Sequence, residues 1–255
     1  MPFVKTNPCA PAGFFEAEAA GLAWLAEAEP AGGARAARVE SVSPGRIAIE
    51  QLERARPTPD AAARFGRALA VTHRAGAQAF GSAPEGWKGP TFIGARPMEC
   101  SPERSWGRFY SEQRVRPFLD IALSVGSIDE AAADVVRAVC QLVESGAADD
   151  GEPARRIHGD LWNWNVMWAD DGVVLIDPAA HGGHRETDLA MLHLFGVPHL
   201  DVIVDAYDDE FALRPGWRDR ISLHQLHPLA VHAAGHGASY GHALGEAARE
   251  ALDLF

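Results

Sequence analysis

The sequence predicts an α+β protein in two parts, a small strand-containing segment over residues 1–53 and a larger, mainly helical segment over 59–255. Three observations carry that expectation. Strand-like runs (PFVK at 2–5, VESV at 39–42, RIAIEQL at 46–52) cluster at the front, apart from one strand-rich stretch at 155–178. From Pro59 onward the apolar residues recur mostly at helical spacing. Between the two lies RARPTP, so residues 54–58 are expected to form a hinge or linker. A ligand cleft where the two parts meet would follow from such an arrangement.

Each element has its own signal. PFVK is a short strand. PAGFFEAEAAGLAWLAEAE (11–29) is an Ala-rich helix with Phe14, Leu22 and Leu25 on one side, ended by Glu29-Pro30 and Gly32-Gly33. VESV and RIAIEQL are strands around the turn SPG. DAAARFGRALAVTHRA (60–75) places Phe65, Leu69 and His73 at helical spacing. A Gly/Pro-rich loop is expected over 76–102, followed by helices near 103–124 and 128–146 and a surface turn at AADDGEP. After the strand-rich stretch come helices near 186–194, 199–211 and 216–231. No internal repeat is visible.

Composition narrows the function. A chain of 255 residues with 47% hydrophobic residues can bury a sizeable core, which argues against disorder. The net charge of −12 argues against a general nucleic-acid binder, which needs a basic face. It leaves a nucleotide open, since magnesium and a single Lys suffice for phosphates. Cys9, Cys100 and Cys140 are scattered with no CxxC, which argues against a disulfide framework or structural zinc and fits a reducing cytoplasm. The N-terminus lacks the basic-then-apolar pattern of a signal peptide. With no apolar run of about 18 residues, neither a membrane span nor a membrane partner is expected.

The stretch HGDLWNWNVMWADDGVVLIDP (158–178) carries the chemistry. Asp160 is followed five residues later by Asn165, and the apolar run VVLI then ends in Asp177-Pro178. This layout suits ATP-dependent phosphoryl transfer with Mg2+ as metal cofactor. One carboxylate, Asp160, accepts the proton of an attacking hydroxyl, while Asn165 and Asp177 hold the magnesium. His158 is expected to pack beneath the loop and fix its backbone by hydrogen bonds. Trp162 offers an aromatic plane that either stacks on a sugar or amine-bearing group or simply packs.

The run HGDLWNWN…VLIDPAAHGGHRETDLAMLHLFG closely resembles the fructosamine kinase (ketosamine-3-kinase) family, related to the aminoglycoside phosphotransferases. FVKTN…FEAEAAGL, FIG at 92–94, the spacing of Trp106, Phe109, Arg114 and Pro117, and GWRDRISLHQLHPLAVH extend the resemblance over nearly the whole chain. It implies a protein-kinase-like two-lobe fold: a truncated N-lobe over 1–53, a hinge at 54–58, and a C-lobe over 59–255. It also implies phosphorylation of a sugar hydroxyl on a small-molecule or glycated-amine substrate, of fructosamine or ribulosamine type. Lys5 would contact the ATP phosphates with Glu18 orienting it, Glu16 being the rival partner. Glu50 and Leu52 would offer backbone groups to adenine. Asp188 would tie the following helix to the catalytic core. Arg185 and Glu186 would either shape the substrate end or serve structure.

The chain departs from the family pattern in several places. The family's glycine loop lies between two strands that precede the Lys, whereas this chain starts four residues before Lys5. Those strands are expected upstream, the alternative being a pseudokinase with impaired ATP binding. A sheet of about three strands with one raw edge would remain. Asn163-Trp164, Met98 and Cys100 replace residues at the family's acceptor end, which leaves an aminoglycoside or other amino sugar as the alternative substrate. His224, His227, His232, His236 and His242 have spacings that place pairs on one helix face. With no Cys beside them and Pro228 expected to interrupt the helix, His224 and His227 are read as aromatic replacements rather than zinc ligands.

Overall fold

The structure, a computed structural model, describes all 255 residues, Met1–Phe255. The chain divides into two compact units, one formed by Met1–Pro102 with Ala154–Leu213, the other by Glu103–Pro153 with Arg214–Phe255. These limits differ from the 1–53 and 59–255 parts expected above. The reason lies in the core of the first unit: Phe15, Leu22 and Ile47 from the front share one apolar cluster with Phe65, Leu69, Val174, Leu175 and Tyr207.

In that first unit β1 (Phe3–Thr6) is followed by α1 (Phe14–Ala26), β2 (Arg35–Ala36), β3 (Val39–Ser43) and β4 (Arg46–Ile49). The order β1-β4-β3 makes the expected three-stranded antiparallel sheet, with Lys5 opposite Ile47. Strand β4 stops short of the expected Leu52. The Glu50 N–H turns to the Arg38 carbonyl (2.9 Å) and its carboxylate accepts the Arg38 N–H (2.9 Å), which draws the chain off the strand. Helix α2 (Pro59–Arg74) begins at Thr58, whose hydroxyl accepts the Ala61 N–H at 3.2 Å, with Pro59 as its first residue. The region expected as plain loop contains a hairpin, β5 (Thr91–Ile93) and β6 (Arg96–Met98), turning at Gly94-Ala95. Three-residue strands are too short to show a period of two, so this element left no alternation to read.

The second unit contributes α3 (Trp106–Phe109), a π turn (Tyr110–Val115), α4 (Arg116–Ser124) and α5 (Glu130–Glu144), the last capped by Asp129. The chain then returns to the first unit with β7 (Arg155–Ile157), β8 (Val166–Ala169), β9 (Gly172–Leu175) and β10 (His181–Gly183). Strands β8 and β9 form a hairpin to which β2 adds in parallel, while β10 pairs with β7. Helices α6 (Arg185–Phe195) and α7 (Leu200–Glu210) complete the first unit, and α8 (Ile221–His236) and α9 (Ala238–Leu252) the second. Helix α9 lies beyond the elements expected from sequence. Pro228 does not interrupt α8 as expected; it sits inside the helix, whose buried Leu226, Leu229 and Ala230 hold both sides of it in the core. No helix is long and apolar enough to cross a membrane.

Candidate active site

Strand β7 delivers His158, Gly159 and Asp160 onto a tight loop. Gly159 has φ 80°, and a Cβ there would overlap the Ala179 carbonyl oxygen, so only glycine allows the turn. The Trp162 N–H donates to the Asp160 carbonyl (3.1 Å) and the Asn165 N–H to the Trp162 carbonyl (2.9 Å). These local bonds bend the five-residue spacing back on itself. The Asn165 side-chain amide accordingly donates to both the Asp160 carbonyl (2.8 Å) and carboxylate (3.1 Å), and to the Asp177 carbonyl at 3.4 Å.

A buried polar scaffold fixes the loop from below. Asp188, on α6, accepts the backbone N–H groups of His158 (2.7 Å) and Gly159 (2.9 Å). His73, from α2, meets the same carboxylate at 3.2 Å, and its other ring nitrogen lies 2.8 Å from the Tyr207 hydroxyl. Burial works against charge on Asp188, but hydrogen bonds from His73 and His158 outweigh it and hold its carboxyl below the usual range. His158 accepts the Asp160 N–H on Nδ1 (3.2 Å), so its Nε2 carries the proton and donates to the Ile176 carbonyl (2.9 Å). Burial pushes the pKa of both His73 and His158 down, so both rings stay neutral. His158 thus has the supporting place expected of it.

On the opposite side, Lys5 donates to Glu18 (2.7 Å) and to the Asp177 carboxylate. Glu18, not its rival Glu16, is the partner. Burial opposes the Lys5 charge, but Glu18 and Asp177 overcome it and raise the ammonium above its ordinary pKa. Asp177 has φ 53°, in the left-handed region that favours glycine, at a cost of about 1 kcal/mol or more. A cavity of about 340 Å³ brings Lys5, Glu18, Asp160, Asn165 and Asp177 together, with Phe14, Phe92, Met98 and Trp162 as apolar walls. It lies wholly within the first unit. Recession from solvent pushes the Asp160 carboxyl up to about 7, against the opposing hydrogen bond from Asn165.

Trp162 reaches this cavity, with its ring edge-on to Phe195 at 5.5 Å. Arg185 and Glu186 are not among its lining. Arg185 is buried, donates to the Phe211 and Ala212 carbonyls (2.8 Å each) and stacks over the Phe211 ring at 4.1 Å, a structural use of the side chain. Glu186 is 2% exposed in the first turn of α6. Glu50 is buried with its carboxylate 2.6 Å from Arg35, and its N–H is already committed to Arg38, so only its carbonyl could serve a base. Leu52 follows, packed against the core. In the second unit His224 lies 5.0 Å from the Trp106 ring and His227 5.5 Å from Phe118, the aromatic packing expected of them. Sequence reading did not single out Tyr207, or the bond from His73 to Asp188, because no local pattern joins residues 115 positions apart.

The Fructosamine kinase family model matches residues 1–253. A probable ketoamine kinase of Enterococcus faecium is 30% identical over 250 residues, covering 94% of this chain and 83% of the relative. One from Synechocystis is 32% identical over 241 residues, covering 93% and 78%. Among solved structures, a protein from Thermobifida fusca YX-ER1 assigned as a fructosamine-3-kinase superposes with TM-score 0.92 at 46% identity, over 99% of this chain and 85% of that one. A choline/ethanolamine kinase family protein from Mesorhizobium loti, at 17% identity and TM-score 0.58 over 98% of this chain and 81% of that one, shares the fold alone. With the site geometry already in the pattern of a phosphotransferase and the match running from end to end, this chain belongs to the fructosamine kinase family and has its protein-kinase-like fold.

Proposed function

We propose that this protein transfers the γ-phosphoryl group of ATP to a sugar hydroxyl of a ketosamine, with Asp160 as base, Lys5 and Glu18 on the phosphates, and Asn165 and Asp177 on magnesium. The observation that carries the reading is the convergence of these five side chains on one cavity in which Asp160 titrates near 7. A base with that pKa is about half ionised at neutral pH, so it is available as a carboxylate and still able to take a proton. Asp160 accepts the proton of the acceptor hydroxyl as the hydroxyl oxygen bonds to the γ-phosphorus and the bond from that phosphorus to the departing ADP oxygen breaks. Asn165 keeps the Asp160 carboxylate aimed, and Lys5, held by Glu18, opposes charge on the phosphate oxygens.

The donor set fits magnesium, which prefers hard oxygen ligands. The Asn165 nitrogen is occupied by Asp160 and Asp177, which leaves its amide oxygen as the ligand, and Asp177 adds a carboxylate. When bound, magnesium would supply charge neutralisation and alignment of the phosphates. The ketoamine kinases to which the chain is similar support the acceptor class. The test is ADP release with a synthetic ribulosamine, with and without magnesium. Release that needs both, and is lost in Asp160→Asn, supports the reading; no release with any ketosamine defeats it.

A further inference from the structure

Helix α8 runs unbroken through Pro228 to His236, its last residue. Because the helix continues, His232 and His236, four residues apart, lie one turn above the other on the same face. Their ring centroids are 5.4 Å apart, with the planes tilted by 39°. Two imidazoles bound through nitrogen to one tetrahedral ion, at about 2.0–2.1 Å each, have centroids about 5 Å apart. The pair therefore already stands close to the separation that a shared ion requires.

The His232 ring is also held in the form that ligates metals. Its Nδ1 lies 2.7 Å from the Pro228 carbonyl. A carbonyl only accepts, so the ring proton sits on Nδ1 and Nε2 is the nitrogen with the lone pair. A backbone carbonyl on the far nitrogen is a usual means of orienting a metal-binding imidazole. Tyr240, from α9, packs on the pair, with its ring 5.0 Å from that of His232 and 6.1 Å from that of His236. His232 is half-buried and His236 is exposed. The inner ring is thus fixed by packing and a hydrogen bond, while the outer one can turn onto an ion arriving from solvent. All three residues belong to the second unit, and none lines the cavity that contains Asp160.

We propose that His232 and His236 form a site for a divalent transition ion of the zinc class, with two imidazole nitrogens from the protein and water in the remaining positions. Imidazole suits zinc, nickel and copper, whereas magnesium prefers oxygen ligands and keeps its water. The site is therefore chemically distinct from the magnesium ligands proposed at Asn165 and Asp177. An ion there would tie the last turn of α8, just before Gly237, with φ 95°, turns the chain into α9. The final carbonyls of a helix lack helical partners, and its last turn is the part that opens most readily. A metal bridge across that turn binds the folded chain in preference to the unfolded one, so it stabilises the fold.

The experiment titrates the full chain with zinc chloride by isothermal calorimetry in excess magnesium, beside His232→Gln, His236→Gln and His242→Gln. His242 lies on α9 and pairs with Glu246 at 3.2 Å, so its variant reports the loss of an ordinary surface histidine. The second imidazole acts as a tethered ligand, so removing either ring of the pair should weaken zinc binding about tenfold or more. His242→Gln should bind zinc as the native chain does. Zinc should also raise the Tm of the native chain and of His242→Gln, and leave the Tm of the other two variants where it was. His236 is exposed, so its variant separates the loss of a ligand from a folding defect. Zinc affinity that is the same in the native chain, His232→Gln and His236→Gln, or a native chain that binds no zinc in excess magnesium, overturns the site.

Discussion

The Asn165 side-chain amide donates to the Asp160 carboxylate at 3.1 Å and to the Asp160 carbonyl at 2.8 Å, so one residue orients both the backbone and the reactive group of the other. The same nitrogen reaches the Asp177 carbonyl. Asn165 therefore links the proposed base to the proposed metal ligand. The consequences can be tested residue by residue.

The first concerns pH. The Asp160 carboxyl is raised to about 7 by burial, so the ionised base forms as pH rises through that value. The kcat/KM for ADP release should climb through an apparent pKa near 7, and Asp160→Asn should remove that limb and lower turnover by about 10³-fold. The stability sign is opposite. A carboxyl whose folded pKa exceeds its unfolded one loses stabilisation as pH rises between the two values. Asp160→Asn should accordingly melt higher than the native chain above neutral pH, and the difference should shrink in acid. Thermal melts on both sides of neutrality check this.

The Lys5–Glu18 pair gives the second. Glu18→Gln leaves the ammonium without its orienting carboxylate. The expected loss in kcat/KM for ATP is about ten- to a hundredfold, the scale of a misplaced catalytic group. Because the two act as a unit, the Lys5→Met, Glu18→Gln double variant should be no worse than Lys5→Met alone. Additive losses in steady-state kinetics would contradict the coupling.

Asp188 supports the third. It accepts two backbone N–H groups and meets His73, and Asn could satisfy only part of that set. Asp188→Asn should destabilise the fold by about 2–3 kcal/mol in denaturant titrations at neutral pH. The Asp188 pKa is depressed by these partners, so its contribution is full above the unfolded carboxyl's pKa and fades as pH falls. The gap between the native chain and Asp188→Asn should narrow in acid.

A pair of glycines supplies the fourth. Gly32 has φ 94° with open space around its α-carbon, while Gly159 has φ 80° with the Ala179 carbonyl in the way. Gly32→Ala should cost about 1–2 kcal/mol of stability, the left-handed penalty, with turnover retained. Gly159→Ala should cost more and depress kcat, because relief of the overlap must move Asp160. Equal effects on kcat would sink this reading of the loop.

Much of the site was legible because its geometry is local. Asp160 and Asn165 meet through a single turn closed by neighbouring backbone bonds, so a five-residue spacing carries the contact. Lys5 with Glu18 was reached by resemblance, while the register that sets Lys5 opposite Ile47 on β4 was not read from the sequence. Arg185 was harder. Its sequence neighbourhood left the substrate end and a structural role equally open, and its guanidinium closes on the Phe211 and Ala212 carbonyls, which no motif announces. Glu50 likewise has its partners set by tertiary pairing, Arg38 where antiparallel β3 meets β4 and Arg35 from β2.

The sequence by itself determined the α+β class and the order of proposed base and metal ligands, because these rest on periodicities and short spacings, and its resemblance supplied the family and the proposed phosphate-binding Lys. Only the tertiary structure decided which residues hold that order in place. His73 comes from α2 to meet Asp188, with Tyr207 of α7 on its other ring nitrogen, and Lys5 comes from the first strand to meet Asp177. Such contacts join residues far apart in the chain. They exist only once burial has brought those helices and strands together and most enclosed polar groups have found partners.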